Sequence, residues 1–558
     1  MTARIGAAAE GPSEFHDIAL SPDGATLAYV SSSSVDGGRI WLRKLSDGSA
    51  TPLKETEDAR QLFWAPDGSG IGFFAGGSLR VVMLATGSVR TLAPAPLPAG
   101  GAWGPDGTIL YSPFFHYVFR VPAAGGTPTR ALGAVDDASP GSRDPQFLPD
   151  GRHFLFWHSL PLVDVWVGDL QTRTARKLFD SVTSPTYVAP GYLLYFQVGP
   201  QASLEQPAPL VARRFDADRL AFAGEPVVLS PRVDRPDQVP VLTARRDYLV
   251  IREAAPGNLG GAHGTIYWID RATGRRGDPV KGTGGGWAFR SSHDGRRFAL
   301  AGPGLSFYDP QRDVSVRAPV ALTAGGWPQA WSPDDREVAI NAGPVMTIVR
   351  VDGSAPPREI VLGKDAWADP LDWSPDGEIY YVHEPSEAAP QHGLLRYNVA
   401  TGRTEPVPSG SGNVFDARLS PNGQWIAYES DESGRREIYL GEAKRASTPI
   451  RVSKAGGGSP RWRRDGKELF FLGGDGRIMA VSVTLATPPA IGEPKRVSDL
   501  VINPDPFGAD PYLDTRFEPT PAGDRFLVQT PLGVGTHQLT VIQGWQAKLT
   551  GGSSAIRR

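Results

Sequence analysis

One short phrase recurs along this chain and decides what it can fold into. It consists of an apolar residue, Ser-Pro-Asp-Gly or a close variant, a few residues, and then an alternating aromatic–aliphatic run. It appears as Leu20-Ser-Pro-Asp-Gly24, Trp64-Ala-Pro-Asp-Gly68, Trp103-Gly-Pro-Asp-Gly107, Phe147-Leu-Pro-Asp-Gly151 and, weaker, Tyr187-Val-Ala-Pro-Gly191. A degenerate copy surrounds Asp247. Then come Ser292-His-Asp-Gly295, Trp331-Ser-Pro-Asp-Asp335, Trp373-Ser-Pro-Asp-Gly377, Leu419-Ser-Pro-Asn-Gly423, Trp462-Arg-Arg-Asp-Gly466 and Pro521-Ala-Gly-Asp524. Twelve copies in 558 residues give a period of about 46 residues, that of a four-stranded propeller blade.

Local chemistry explains the phrase. The apolar residue ends an inner strand, Pro pre-sets φ for a turn, and Asp-Gly or Asn-Gly supplies the positive-φ positions that a tight hairpin needs. The run that follows, such as Phe154-Leu-Phe-Trp157, reads as a second strand buried between neighbouring sheets. A third strand follows, as in Asp164–Leu170 or Glu437–Leu440, and a turn such as Thr401-Gly402 leads to a short outer strand. Long helical periodicity is absent. Four-stranded sheets cannot bury both faces alone, so they stack around an axis until the ring closes. The expected fold is therefore all-β, a β-propeller of about twelve four-stranded blades.

Ring sizes of four to eight blades favour two six-bladed rings, residues 1–283 and 284–558, with Lys281-Gly-Thr-Gly-Gly-Gly286 as the crossing. Unequal rings or one large continuous ring are the alternatives. Thr2-Ala-Arg-Ile5 is a candidate outer strand for the final blade, a closure that hides a sheet edge.

Composition excludes several classes of function. With 57 Lys+Arg against 60 Asp+Glu the net charge is −3, which leaves no basic footprint for nucleic acid. There is no Cys, so disulfides, thiolate metal sites and cysteine nucleophiles are ruled out. The 66 Gly and 52 Pro would suit disorder, but 40% hydrophobic residues with 14 Trp, 23 Phe and 15 Tyr supply the surface that ordering requires. No apolar run is long enough to insert into a membrane, and the start lacks the apolar stretch of a signal peptide. A soluble protein is expected, cytoplasmic as the sequence stands, or periplasmic or secreted if a leader was removed.

The repeat phrases resemble those of TolB-type, WD-repeat-like β-propellers, and are most similar to the propeller region associated with bacterial serine/threonine kinases. The resemblance rests on Asp144–Leu155, Tyr187–Leu194, Gly224-Glu-Pro226, Leu419–Tyr428 with Asp431–Arg435, and Pro460–Phe470. It spans nearly the whole chain and implies the fold and a binding or sensing role; fold does not fix function. No kinase signature precedes the first blade, so a stand-alone role is expected. The Gly-x-Ser-x-Gly elbow of the hydrolases that carry related propellers is absent, as are a Walker loop and His-Glu-x-x-His. Gly284-Gly-Gly286 and Gly456-Gly-Gly458 open no helix and read as connectors.

On a propeller, the loops entering the inner strands and those joining second to third strands share one face. The entry segments offer Arg143, Asp144, Gln146, Trp327, Gln329, Asp369, Asp372, Asn413, Asp416, Arg461, Asp514 and Arg516 as ligand-binding candidates, with Glu518 beside them. Carboxylates paired with Arg suit a sugar acid or acid–base work, although strand-start Asp and Asn also cap turns. The second loop set offers His116, His158 and His383 as candidate ligands for a divalent metal; no other cofactor is expected. The first expectation is a non-catalytic module that recognises a protein, peptide or saccharide at a channel mouth. The alternative is a propeller-type polysaccharide lyase or glycosidase built on the same carboxylates and His.

Overall fold

A computed structural model describes residues 2–5, 15–31, 38–95, 98–114, 117–133, 142–158, 164–181, 184–197, 208–233, 242–245, 248–253, 266–280, 288–301, 305–318, 327–341, 345–362, 368–383, 393–502, 517–529 and 538–550. Among them the chain forms twelve antiparallel sheets, eleven of four strands and one of five, with a single four-residue helix at Ala547–Thr550. The fold is a β-propeller.

The sheet of Ala368–Trp373, Glu378–His383, Gly393–Asn398 and Thr404–Pro406 shows how each copy of the phrase works. Its strands pair in chain order. The Ser374 hydroxyl donates to Asp376 Oδ1 at 2.6 Å and accepts from the Glu378 amide at 3.0 Å, so the turn residues bond one another before any tertiary contact forms. Burial falls from inside to outside: Ile379–Val382 are buried and Thr404–Pro406 exposed.

The core is not central but lies between sheets. Tyr380 and Val382 pack against Val414, Ala417, Ile426 and Tyr428 of the following sheet, and Phe63, Phe74 and Val81 pack against Ile109, Tyr111 and Val121. The Trp that ends several inner strands reaches across this seam. Trp64, Trp331 and Trp462 each donate an indole N–H to the preceding inner strand, at Ala19, Arg290 and Arg418, over 2.9, 3.0 and 3.1 Å.

The sheets fall into two compact units, Met1–Ala262 with Val534–Arg558, and His263–Gly533, six sheets in each. In the first unit the inner strands Phe15–Leu20, Arg60–Trp64, Gly101–Trp103, Ser142–Phe147, Thr186–Val188 and Leu242–Arg245 follow one another in cyclic order. In the second the cycle runs through Ala288–Ser291, Trp327–Trp331, Ala368–Trp373, Val414–Leu419, Gly457–Trp462 and Phe517–Pro519.

Both units close with strands drawn from distant parts of the chain. In the first, Leu242–Arg245 and Tyr248–Glu253 are completed by Gln538–Gln543 and then by Thr2–Ile5. In the second, Phe517–Pro519 and Arg525–Gln529 are completed by Ile266–Asp270 and Arg276–Pro279. Two expectations change as a result. The division falls at Ala262/His263 and again at Gly533/Val534, instead of once at 283/284. Thr2–Ile5 is an outer strand and pairs with the last strand of the chain, but it closes the first unit's sheet instead of the sheet holding the twelfth phrase. The physical reason is that Tyr248–Glu253 and Arg525–Gln529 are both strands awaiting an antiparallel third partner, and strand count alone does not say which candidate each receives.

Candidate functional site: the bores of the two units

Each inner strand runs into its turn, so residues at one repeat position meet around the axis of a unit. Two residues before the turn, the first unit carries Ala19, Phe63, Ala102, Gln146 and Thr186. All are uncharged, and all line a cavity of about 570 Å³. The equivalent positions of the second unit carry Arg290, Ala330, Asp372, Arg418, Arg461 and Glu518. Five of these six are charged, so the same architecture builds two different interiors.

The first unit's cavity is walled by inner-strand residues from all six sheets. Its polar lining is ordered. Gln61 Oε1 accepts the Gly100 amide at 2.8 Å, and the Gln61 backbone N–H donates to Asp17 Oδ2 at 3.0 Å. Gln146 bonds the Tyr187 backbone in both directions, at 2.8 and 3.3 Å, so this predicted ligand contact ties two blades together as well as lining the bore. Asp144 sits at a bulge with φ of +48°, and its amide donates to the Ala99 carbonyl at 2.7 Å. Desolvation pushes its carboxyl up to about 6, with the nearby Asp17 adding to the effect and Arg143 opposing it. Arg143 itself lies with its guanidinium carbon 6.0 Å from the Trp157 ring centre and is not part of the cavity lining. At the turn end the lining includes Arg245, which donates to the Ala244 carbonyl at 3.0 Å. Burial holds its pKa below the ordinary value, and no carboxylate among the described residues offsets it.

In the second unit four of these charged residues, Arg290, Arg418, Arg461 and Glu518, join a chain of ion pairs that also includes Asp416. Glu518 accepts from Arg290 Nη1 at 3.1 Å, Arg461 Nε at 2.6 Å and Ser291 Oγ at 3.0 Å. Arg461 continues to Asp416 Oδ2 at 2.8 Å, and Arg418 takes Asp416 Oδ1 at 2.5 Å. The side chains in this chain of ion pairs are 3 to 10% exposed. Four successive inner strands are thereby joined through buried charge. Asp372 accepts the Trp373 and Leu419 amides, each at 2.8 Å, while burial holds its carboxyl above the ordinary value. Of the expected candidates Asp416 and Arg461 thus converge, and Arg461 meets two carboxylates, those of Asp416 and Glu518, but these groups neutralise one another inside the protein.

Arg290 and Arg418, which complete this network, were not among the sequence candidates. The signal that would have found them is register: each stands two residues before its turn, where Asp372 and Arg461 stand in their own copies.

The remaining candidates separate. Asp369 is buried and accepts from the Asn341 side-chain amide. Asn413 binds Asp431 through its backbone and side chain, at 2.8 and 2.9 Å, at the edge of its own hairpin. Trp327 and Gln329 lie on the inner strand Trp327–Trp331. Asp514, Arg516 and His116 fall outside the described residues. His158 is buried, with Nδ1 3.0 Å from Asp164 Oδ1, and Asp164 also accepts Trp166 Nε1 at 2.9 Å. It belongs to the first unit and His383 to the second. Among the described residues no three His, Asp or Glu groups are placed to hold a metal ion, and no helix is long and apolar enough to cross a membrane.

No protein-family model matches the chain, and no curated protein does. Solved structures do. A protein described as TolB from Agrobacterium tumefaciens is 17% identical, with a TM-score of 0.37 over 48% of this chain and 97% of that one. TolB from Acinetobacter baumannii is 18% identical, with a TM-score of 0.31 over 37% and 53%. The tricorn protease is 10% identical, with a TM-score of 0.31 over 88% and 63%.

Proposed function

We propose that the chain is a β-propeller binding or scaffold module that takes a protein, peptide or saccharide ligand into the bore of its first unit. One observation carries this reading: the first unit leaves uncharged residues at the repeat position where the second unit places ion pairs, and a cavity of about 570 Å³ results. That volume lies in the range of ligand sites, which are mostly apolar with a few placed polar groups. The groups here are Asp17, Gln61, Asp144, Gln146 and Arg245.

A lyase or glycosidase would need an acid and a base open to substrate. The Asp416–Arg461–Glu518 group does not supply them, because each carboxylate is already committed to guanidinium donors.

The test is binding. Trp64 and Trp103 line the cavity, so a ligand in the bore changes their fluorescence. A panel of short peptides and oligosaccharides is titrated into the full chain, and into a variant with Ala102→Trp filling the cavity. Saturable changes that the variant abolishes support the reading. Binding that the variant leaves intact moves the site elsewhere and overturns it.

A further inference from the structure

We propose that the first unit's bore is bipolar and takes a short, free-ended peptide in extended form, its amino terminus at Asp17 and Asp144 and its carboxylate at Arg245. This rests on the reading of that bore as the ligand site. Three observations converge on it. Asp17, Asp144 and Arg245 all line the one cavity. The Asp144 carboxylate has no hydrogen-bonding partner among the described residues, and Arg245 has only the adjacent Ala244 carbonyl. Among the described residues Asp17 is the carboxylate that acts on Asp144 and none acts on Arg245, and register sets the negative and positive groups at separate ends.

The separation follows from register. The Leu20 amide donates to Thr243 Oγ1 at 3.2 Å, which sets these residues level. Asp17 stands three residues to one side of that level and Arg245 two to the other, so at about 3.3 Å per residue the ends are ~16 Å apart. An extended chain advances about 3.3–3.6 Å per residue, and four to five residues bridge the gap. A charge held partly out of water is costly, and Arg143 offsets that of Asp144 only in part. A ligand whose two ends carry the complementary charges relieves that cost at both places, and a neutral chain relieves neither.

The test uses the full-length protein and three forms of pentaalanine: free-ended, N-acetylated, and C-amidated. Tryptophan fluorescence or calorimetry reads the affinity. Each blocked end is expected to weaken binding about tenfold or more, the equivalent of one lost charged contact. Asp144→Asn removes the difference between free and acetylated peptide while keeping the preference for a free carboxylate. Arg245→Gln does the converse, and Arg245→Lys, which keeps the charge, restores the carboxylate preference. Equal binding of the three peptides, or variants that keep both preferences, overturns the proposal. If no peptide binds but an oligosaccharide does, and Ala102→Trp blocks it, the bipolar proposal fails while the bore remains the ligand site. If Ala102→Trp blocks nothing that binds, both fail.

Discussion

Asp144→Asn is expected to stabilise the protein above pH 6 and to leave it unchanged near pH 3. The native carboxyl is held up to about 6, first by desolvation and then by Asp17, against an ordinary value of 3.8. As pH rises from about 4 to about 6 the unfolded chain releases this proton before the folded one does. Stability contributed by the neutral acid is therefore whole at low pH and lost across that window. A shift of about two units at 1.36 kcal/mol each gives ~3 kcal/mol at neutral pH. That is an upper bound, because the side chain is only partly buried and the cavity admits water. Asn keeps the shape without the charge and recovers most of this difference. For a unit of this size ~3 kcal/mol corresponds to about 6 °C in the unfolding midpoint. Calorimetry of the wild type and the variant at pH 3, 5, 7 and 8 measures it. A gain of equal size at pH 3 would show that packing, not charge, is responsible, and no gain at pH 8 would remove the desolvated carboxylate from the argument.

Three further outcomes are expected. Glu518→Gln removes the charge shared by Arg290 and Arg461 and costs ~3–5 kcal/mol, as breaking one side of a buried ion pair does; a loss below ~1 kcal/mol in urea denaturation would show the network to be energetically idle. His293 donates its backbone amide to Asp335 Oδ1, with its imidazole Nδ1 2.9 Å from the same oxygen. Burial lowers its pKa, but Asp335 and Asp372 outweigh that and hold it above the ordinary value. The His293→Gln penalty, under ~1 kcal/mol for so exposed a pair, is thus full below about pH 6.5 and fades as pH rises through the native pKa; a penalty that grows with pH contradicts this sign. Gly295 and Gly68 both have positive φ, but a β-carbon at Gly295 would lie 2.4 Å from the Pro521 ring, while one at Gly68 meets nothing within 4 Å. Gly68→Ala should cost ~1–2 kcal/mol of backbone strain alone, and Gly295→Ala measurably more.

The blade was legible because its information is local. Ser374, Asp376 and Glu378 bond within five residues, and the Trp before such a turn needs only a carbonyl of the preceding inner strand to explain it. Closure was not legible. Ile266–Asp270 lies inside the first ring expected for residues 1–283, yet pairs with Arg525–Gln529 of the second unit. Antiparallel pairing is set by backbone bonds that any apolar strand can make, so the partner depends on the whole chain. The candidate site was half legible. Placing Asp144 and Gln146 at an inner-strand entry located them beside the cavity, because position along a blade maps to position around an axis. Taking Asp416 and Arg461 as open ligand groups missed that Arg418, two residues along the same strand, holds Asp416, and that Glu518, at the position of Arg461 in the next copy, holds Arg461. A charge at one repeat means little until the charges at the others are set against it.

That last point explains why one fold can carry two interiors. A position two residues before the turn faces its counterparts from every blade, so its character is multiplied around the ring. With Ala19, Ala102 and Thr186 there, no side chain fills the axis and space is left open. With Arg290, Arg461 and Glu518 there, opposite charges meet across neighbouring blades and bond. The two outcomes favour different ends. Uncharged residues cost the first unit the ion pairs that join blades but leave a cavity lined by Asp144 and Arg245. Paired charges commit the second unit's inner strands to one another, and the price is desolvation that only complete pairing offsets. The backbone and the turn phrase are common to both units, so whether a unit leaves an open bore or braces itself depends on a handful of side chains at one register. Replacing that register, rather than redesigning blades, is the change that would convert one interior into the other.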